Sequence, residues 1–438
     1  MTKPKIAKRV STALLNSLGA GVVPRIGLEY IAVGRTKEIA ACLQDLDNIA
    51  EGGAAFRTIV GRYGAGKSFM LQLIRNHAME RGFVVADVDL SPERRLAGGN
   101  RQGVATYREL MRNLATKMRP DGGGLAPLLE GWINTIQNQV AQASGMRPND
   151  EGFDDQVESQ IRSVVKDIEG LVHGFEFANI ISAYWRGYRL DNDRLKDAAL
   201  RWLRGEFATK TEAKTELGVR VIIDDDTWYD YIKLVAKFVA DIGYKGLIVL
   251  IDEAVHLLKI THAVSRQSNY DKLLAIFNDT MQGKAENLYT IIGGTPQFVE
   301  DPRRGLYSDE AWRSRLVGSS RIQGKFQDTT APVIRLDPLT KAEIEQLLQR
   351  LAEVHAVHYK YDYFLTAKDL QAFVEEVANR LGAETLLTAR EVVRDLITAL
   401  NIRQQNPGTS WQDLVRSTTF QVSDGDRDPD GEFAEFTV

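Results

Sequence analysis

Three features of the 438-residue sequence predict an α/β chain. The expected architecture is a five-stranded parallel sheet with a large helical insertion and a small C-terminal helical lid domain. A short β-rich run at 56–61 (FRTIVG) breaks into a glycine loop, then a helical pattern, then a second strand at 83–89 (FVVADVD). Strand, glycine loop, helix, strand is a βαβ unit, and it implies parallel pairing. Short apolar runs at 247–251 (LIVLI), 288–293 (LYTIIG) and 332–336 (PVIRL) are too brief for helices and suit strands buried on both faces. From Thr340 onward the pattern changes to amphipathic helices alone, over 340–356, 366–380 and 388–403.

The elements follow in order. A helical pattern from Lys5 to Leu18 is closed by Gly19 and Gly21, and a second runs from Arg35 to Ile49. The helix after the glycine loop spans about Lys67 to Arg81. Between the second and third strands the chain is almost wholly helical, with apolar residues three and four apart in 106–117, 125–143, 155–173 and 193–205. Residues 224–243 read as a long helix with an aspartate cap and a glycine stop. The last stretch, from about 421, is acidic, turn-rich and expected to be disordered. The expected divisions are therefore an N-terminal segment at 1–50, a main domain at 51–338 with the insertion at about 91–240, a lid at 339–405 and a tail at 406–438.

Composition narrows the function classes. Lys plus Arg total 55 and Asp plus Glu total 59, a net charge of −4, which excludes a uniformly basic nucleic-acid binder while leaving room for a local basic patch. The single cysteine, Cys42, excludes an internal disulfide framework and a cysteine-based zinc cluster. No run of about 18 apolar residues marks a membrane span. The N-terminal stretch is basic and amphipathic without a continuous apolar segment, so a cytoplasmic protein is expected.

The chemistry starts at Gly61-Arg62-Tyr63-Gly64-Ala65-Gly66-Lys67-Ser68, which fits G-x-x-x-x-G-K-[ST] without a gap. Glycines let backbone N–H groups turn inward around phosphates, and the following helix N-terminus adds free donors and a favourable field. Lys67 is placed to reach the β- and γ-phosphates of ATP, and Ser68 to hold Mg²⁺. A chance match in a chain this long is on the order of 1–2%, and the position between strand and helix lowers it further. Leu247 to Ile251 then lead into Asp252 and Glu253. Asp252 is placed to bind the Mg²⁺ water shell and Glu253 to polarise an attacking water, which points to hydrolysis rather than transfer to an alcohol.

Weaker signals accompany these. Thr295, after the fourth strand, either bonds the attacking water or γ-phosphate or simply shapes a Gly/Pro turn. Arg315, favoured over Arg313, either reaches a neighbouring subunit's nucleotide or ends a solvated basic helix. Thr388 and Glu391 form a capping-box pattern that puts Arg390 in the first turn of the last lid helix, where it folds over nucleotide or faces solvent. The segment Tyr184-Trp185-Arg186-Gly187-Tyr188-Arg189, with Arg194, Arg201 and Arg204, is either a solvated helical face or a phosphate- and base-contacting surface. A second basic cluster, Arg303, Arg304, Arg313, Arg315, Arg321 and Lys325, is open between DNA, subunit contact and nucleotide. Asp224, Asp225 and Asp226 read as a helix cap rather than a metal site, and His256 as a packed helix residue.

Together these pieces resemble an AAA+ ATPase in motif order. Val33-Gly34-Arg35-Thr36-Lys37-Glu38-Ile39 is similar to the G-R-x-x-E-[IL] box that precedes the first strand and helps form the adenine pocket, which implies nucleotide contacts for Gly34 and Arg35. Thr295 is sensor-1-like, Arg315 finger-like and Arg390 sensor-2-like. The pattern is similar to the origin-recognition branch, and more narrowly it resembles the smaller ATP-binding protein of BREX phage-resistance systems. The carriers of that narrower resemblance are Gly61 to Phe69, Trp202-Leu203-Arg204-Gly205-Glu206, and Gly243-Tyr244-Lys245-Gly246 leading into Asp252-Glu253. It spans roughly residues 20–405. It implies an AAA+ ATPase in bacterial antiviral defence, with ATP and Mg²⁺ bound between subunits of a homo-oligomer. It also implies duplex DNA and other defence subunits, such as a helicase or methyltransferase, as partners, and no membrane. Origin-recognition relatives usually carry a winged helix after the lid; here about 35 residues follow it and read as a tail. Thr295 also stands where Asn is commoner. A nucleotide-gated DNA-binding or scaffold module with little turnover is the alternative reading; a phosphotransferase would need a hydroxyl-substrate pocket of which the sequence has no sign.

Overall fold

A computed structural model describes residues 5–316, 330–381 and 388–417. In chain order the elements begin α1 (Lys8–Gly19), α2 (Thr36–Ala50), β1 (Ala54–Gly61), α3 (Lys67–Glu80) and β2 (Val84–Asp89). The inserted helices are α4 (Gln102–Arg112), α5 (Leu125–Ser144), α6 (Phe153–Glu169), α7 (Gly174–Arg189), α8 (Asp193–Leu203), α9 (Lys210–Leu217) and α10 (Trp228–Asp241). Then come β3 (Leu247–Asp252), α11 (Val255–Leu258), α12 (Ala263–Met281), β4 (Leu288–Gly294), α13 (Pro296–Glu300), α14 (Glu310–Leu316) and β5 (Val333–Leu336). The last helices are α15 (Lys341–Tyr359), α16 (Ala367–Leu381), α17 (Ala389–Gln405) and α18 (Trp411–Ser417). Among the described residues, no helix is long and apolar enough to cross a membrane.

The five strands form one all-parallel sheet in the order β2-β3-β4-β1-β5, as the sequence predicts. Val84 pairs with Leu247 and Asp89 with Asp252; Leu247 pairs in turn with Leu288. All seven residues of β4 and the first five of β3 are buried, which is why these strands read as continuous apolar runs rather than alternating ones.

The chain divides into two compact units. One holds residues 40–59 and 74–334, hence most of the sheet and the whole insertion. Its core contains Phe56 edge-on to Phe277 at 5.3 Å, with Trp312 at 5.4 Å from Phe277. A buried polar network crosses this core. Arg57 of β1 grips Asp45 of α2 through two bonds, Nε to Oδ2 at 2.7 Å and Nη2 to Oδ1 at 2.9 Å. Tyr289 of β4 donates its hydroxyl to Asp45 at 2.6 Å, and Arg57 also bonds the Ala331 carbonyl. Burial alone would lower the Arg57 pKa, but the hydrogen bond and charge of Asp45 outweigh it, so the guanidinium is held firmly protonated.

The insertion differs from the sequence reading in three ways. The helix expected over 106–117 stops at Arg112, because Ala115 instead exchanges two backbone bonds with Val85 of β2, at 2.7 and 2.9 Å. Helix α9, not expected, is capped by Thr209 and closed by Gly218 in the left-handed region. Helix α10 starts at Trp228 rather than 224. Asp224 turns the chain before it by accepting from Thr227, while Asp225 reaches across the insertion to accept from Val104 N–H in the first turn of α4, at 2.8 Å. The expected aspartate cap on α10 is therefore not formed, since its N-cap Thr227 has no side-chain cap bond, and it is Asp225 that serves a helix, one distant in sequence.

The other unit holds residues 1–39, 60–73 and 335–438. Its core is a helical cluster that includes Leu14, Leu348, Leu351, Phe373, Val392 and Leu396. Helices α15 and α17 each begin with a full capping box, Thr340 with Glu343 and Thr388 with Glu391. Helix α18 corrects the reading of 411–417 as tail: Leu414 and Val415 are buried in the same cluster, and Trp411 lies 5.9 Å from Phe373. The expectation for the stretch from 421 falls outside the described residues. His355 is fully buried between α15 and α17. Its Nε2 faces Asn401 Oδ1 at 3.0 Å and its Nδ1 the Tyr361 hydroxyl at 2.9 Å, so a neutral ring protonated at Nε2 satisfies both.

Two stability predictions follow from these buried polar groups. Asp45→Ala leaves Arg57 buried without its carboxylate and should cost about 3–5 kcal/mol, read as a lowered denaturant midpoint. Burial depresses the His355 pKa from 6.5 to about 4, partly offset by Asn401. The unfolded chain therefore takes up its proton at a higher pH than the folded one. Stability should be unaffected by this group above pH 6.5. It should then fall by about 1.4 kcal/mol per pH unit down to about pH 4 and level off below. His355→Gln should flatten that part of a melting-temperature series against pH.

Candidate nucleotide-binding site

The phosphate loop runs from the end of β1 to the start of α3. Gly64 and Gly66 lie at φ +76° and +89°, a region that L side chains adopt at a cost. A Cβ on Gly64 would also sit 2.8 Å from Thr388 Cβ, so this glycine is needed for space as well as for conformation. Gly61 is similarly close, its Cβ position 3.1 Å from the Leu336 carbonyl. Ala65 is buried, and Phe69 anchors α3 against the helical cluster. Lys67 Nζ donates to the carbonyls of Gly61 and Arg62, at 2.9 and 3.1 Å, which folds its ammonium back over the loop. Ser68 stands beside it in the first turn of α3.

Gly34 and Arg35 brace this loop. Both have positive φ, +63° and +59°. A Cβ on Gly34 would collide with Glu343 Oε1. Arg35 donates to the Asp337 carbonyl and, at 3.4 Å, to the carbonyl of Ala65 within the loop. Hydrogen bonds from the Thr340 backbone and hydroxyl, helped by the charge of Arg35, hold the Glu343 carboxyl below the usual range.

Arg390 occupies the first turn of α17, as its capping box predicts. Its Nη1 donates to the Tyr63 hydroxyl, and its guanidinium carbon lies 5.1 Å from the centre of the Tyr63 ring. Tyr63 belongs to the phosphate loop but fills a variable position of the motif, so the sequence pattern carried no sign of this contact.

In the other unit, the carboxyl ends of β2 and β3 place acidic residues side by side. Asp252 ends β3, and the next residue, Glu253, takes the left-handed conformation at φ +57°, uncommon for a residue with a side chain. Its N–H donates to Asp252 Oδ1 at 2.8 Å, which fixes the turn, while its side chain stays exposed. The Ala254 N–H bonds the Gly293 carbonyl of β4 at 3.0 Å. Asp89, the register partner of Asp252, was not singled out from the sequence. Burial raises its pKa, and the charges of Asp252, Glu253 and Asp87 raise it further. An acidic residue ending an apolar strand was the one available signal.

Thr295 caps α13, its hydroxyl accepting from the Phe298 N–H at 3.3 Å; the hydroxyl hydrogen remains available for a second partner. Arg313 and Arg315 are both exposed on α14. Arg315 is steadied by the Ala311 carbonyl at 2.7 Å and Asn278 Oδ1 at 3.2 Å. Arg321 and Lys325 lie outside the described residues. His256 is a half-buried residue of α11. Among the described residues, no group of three or more His, Cys, Asp or Glu side chains is arranged to hold a metal ion.

The nucleic-acid alternative for the segment around Tyr184 needs correcting. Tyr184 and Trp185 are each 1% exposed and belong to the core of the insertion, so neither offers a face for stacking bases. Arg189 pairs with Asp154 and Glu158, and Arg201 with Glu212 and Glu216. The helical periodicity was right, but the aromatic residues lie on its inward face.

Gly64→Ala combines a positive-φ penalty of about 1 kcal/mol with crowding against Thr388. It should weaken ATP binding by roughly tenfold or more in a fluorescent-nucleotide titration, with the circular dichroism spectrum unchanged.

The loop, its braces and the acidic strand ends agree with one finding from comparison with known proteins. The family described as BREX system ATP-binding protein BrxC/D matches residues 6–419. No curated protein matches the chain. Since the match covers nearly the whole sequence, the chain belongs to the BREX system ATP-binding protein BrxC/D family, with an ATP-binding role in BREX phage defence beside the other subunits of such a system.

Proposed function

We propose that the chain is an AAA+ ATP hydrolase whose turnover drives or gates a DNA-associated BREX complex in the cytoplasm. The observation that carries the hydrolytic reading is the turn at the end of β3. One carboxylate, Asp252, is committed to the backbone N–H of its neighbour, and the left-handed turn leaves the other, Glu253, exposed. Two adjacent carboxylates thus have different surroundings and suit different duties.

In this reading Lys67 binds the β- and γ-phosphates, with the loop N–H groups around them. Ser68 and Asp252 each carry an oxygen donor of the kind Mg²⁺ prefers and would serve as its protein ligands beside phosphate oxygens. When bound, Mg²⁺ neutralises charge that develops on the transferred phosphoryl group. Glu253 orients the attacking water and accepts its proton. Thr295, still able to donate from its hydroxyl, bonds that water or the γ-phosphate. Gly34 and Arg35 border the adenine side. Arg315 stabilises transition-state charge at a neighbouring copy's nucleotide, so the active form is a homo-oligomer. The acidic ends of β2 and β3 have a further effect: mutual repulsion among Asp89, Asp252 and Glu253 makes an added cation more favourable there.

Glu253→Gln keeps the shape and removes the base. It should lower ATP turnover by about 10²–10⁴-fold while ATP still binds, and the trapped ATP state should raise the solution mass in a way that Arg315→Ala abolishes. Unchanged turnover in Glu253→Gln would favour instead a nucleotide-gated DNA-binding or scaffold module. Duplex DNA and a BREX helicase or methyltransferase, added in the same series, test whether assembly depends on them.

A further inference from the structure

Arg390 is held by the phosphate loop through two contacts with a single side chain. The Tyr63 hydroxyl accepts from one Nη1 hydrogen, and the Tyr63 ring lies against the guanidinium with centre and carbon 5.1 Å apart. The arginine stem passes Gly21, where a Cβ would stand 3.9 Å from Arg390 Cδ. Beside this pair, Thr388 packs against Gly64 so closely that only glycine fits. The nearest acid in sequence, Glu391, is turned back to the Thr388 backbone and hydroxyl by the capping box. Among the described residues, no carboxylate forms an ion pair with Arg390, so both partners given by Tyr63 are neutral.

That combination is informative. A carboxylate would neutralise the guanidinium, and a phosphate would then compete with it. A phenol and a ring face fix the direction of the side chain but leave its charge and most of its five N–H donors available. Tyr63 is also 43% exposed, so its ring is not needed to fill the core. An arginine already held in place loses less rotamer freedom when it binds an anion. We propose that Tyr63 positions Arg390 for the terminal phosphate, and that this pair is the element by which the phosphate loop prefers ATP to ADP. The inference rests on the ATP-binding role and deepens it. The diphosphate lacks the group that Arg390 would meet, so loss of the positioned charge should penalise ATP selectively.

The test is a set of ATP and ADP dissociation constants for the full chain and four variants, each checked for an unchanged melting temperature. Arg390→Ala should weaken ATP by about tenfold and ADP by less than twofold. Tyr63→Ala, which retains the arginine, should reproduce most of that ATP-selective loss. Tyr63→Phe, which keeps the ring but not the hydroxyl, should fall between. In the double variant Tyr63→Ala/Arg390→Ala the tyrosine change should add nothing. Equal weakening of ATP and ADP by Tyr63→Ala would overturn the proposal, because the ring would then support the loop or the nucleotide directly. So would a tyrosine effect that persists without Arg390. Lys67→Ala serves as the separate check on ATP binding itself: if it abolishes binding of both nucleotides while the tyrosine and arginine changes do not discriminate, the ATP site stands and only the Tyr63 assignment fails.

Discussion

A phosphate loop must hold glycines at positive φ in a backbone path that no helix or sheet ladder stabilises, so its surroundings have to impose the conformation. In this chain three segments far apart in sequence do so. Arg35 bonds the Ala65 carbonyl from the N-terminal side, Leu336 crowds Gly61 at the end of β5, and Thr388 packs on Gly64 from the start of α17. The residues that brace are themselves braced: Gly34 is kept bare by Glu343, which is locked in the capping box of α15. Much of that unit is organised around keeping eight residues in an otherwise unfavourable shape.

The parallel sheet imposes a different constraint. Its central strands are buried along nearly their whole length, so polar chemistry is pushed to their ends. The register that aligns Val84 with Leu247 necessarily brings Asp89 level with Asp252. Burial pushes the Asp89 carboxyl upward, and repulsion from the neighbouring carboxylates pushes it further. Inside the same unit the buried cations are matched: Arg57 by two bonds to Asp45, whose carboxylate also accepts from Tyr289, and Arg75 by Asp87 at 3.0 Å. Buried cations in this core are thus paired, while like charges gather at the strand ends.

The insertion shows how packing decides between two uses of the same residues. Trp132 and Phe177 both close on Phe238, and Trp202 sits edge-on to Tyr231 at 5.3 Å. Seven helices between β2 and β3 need a core of their own, and the aromatic side chains supply it. The arginines interleaved with them stay at the surface, where acidic neighbours on adjacent helices take up Arg189 and Arg201.

Local pattern alone determined much of this protein. Apolar runs of five or six residues suit strands buried on both faces, glycines before Lys67 fit a phosphate loop, and Thr388 with Glu391 mark a helix start. Each of those is a short-range rule, readable within ten residues. The tertiary structure decided what depends on contacts between segments distant in sequence. Asp225 caps α4 rather than its own helix, Ala115 leaves a helix to pair with Val85, and Asp89 joins Asp252 through strand register. Tyr63 meets Arg390 although 327 positions separate them. Helix periodicity could show that Tyr184 and Trp185 alternate with arginines, but not which side faced inward. That choice belongs to the neighbouring helices, because burial is settled by what packs against a face and not by the face itself.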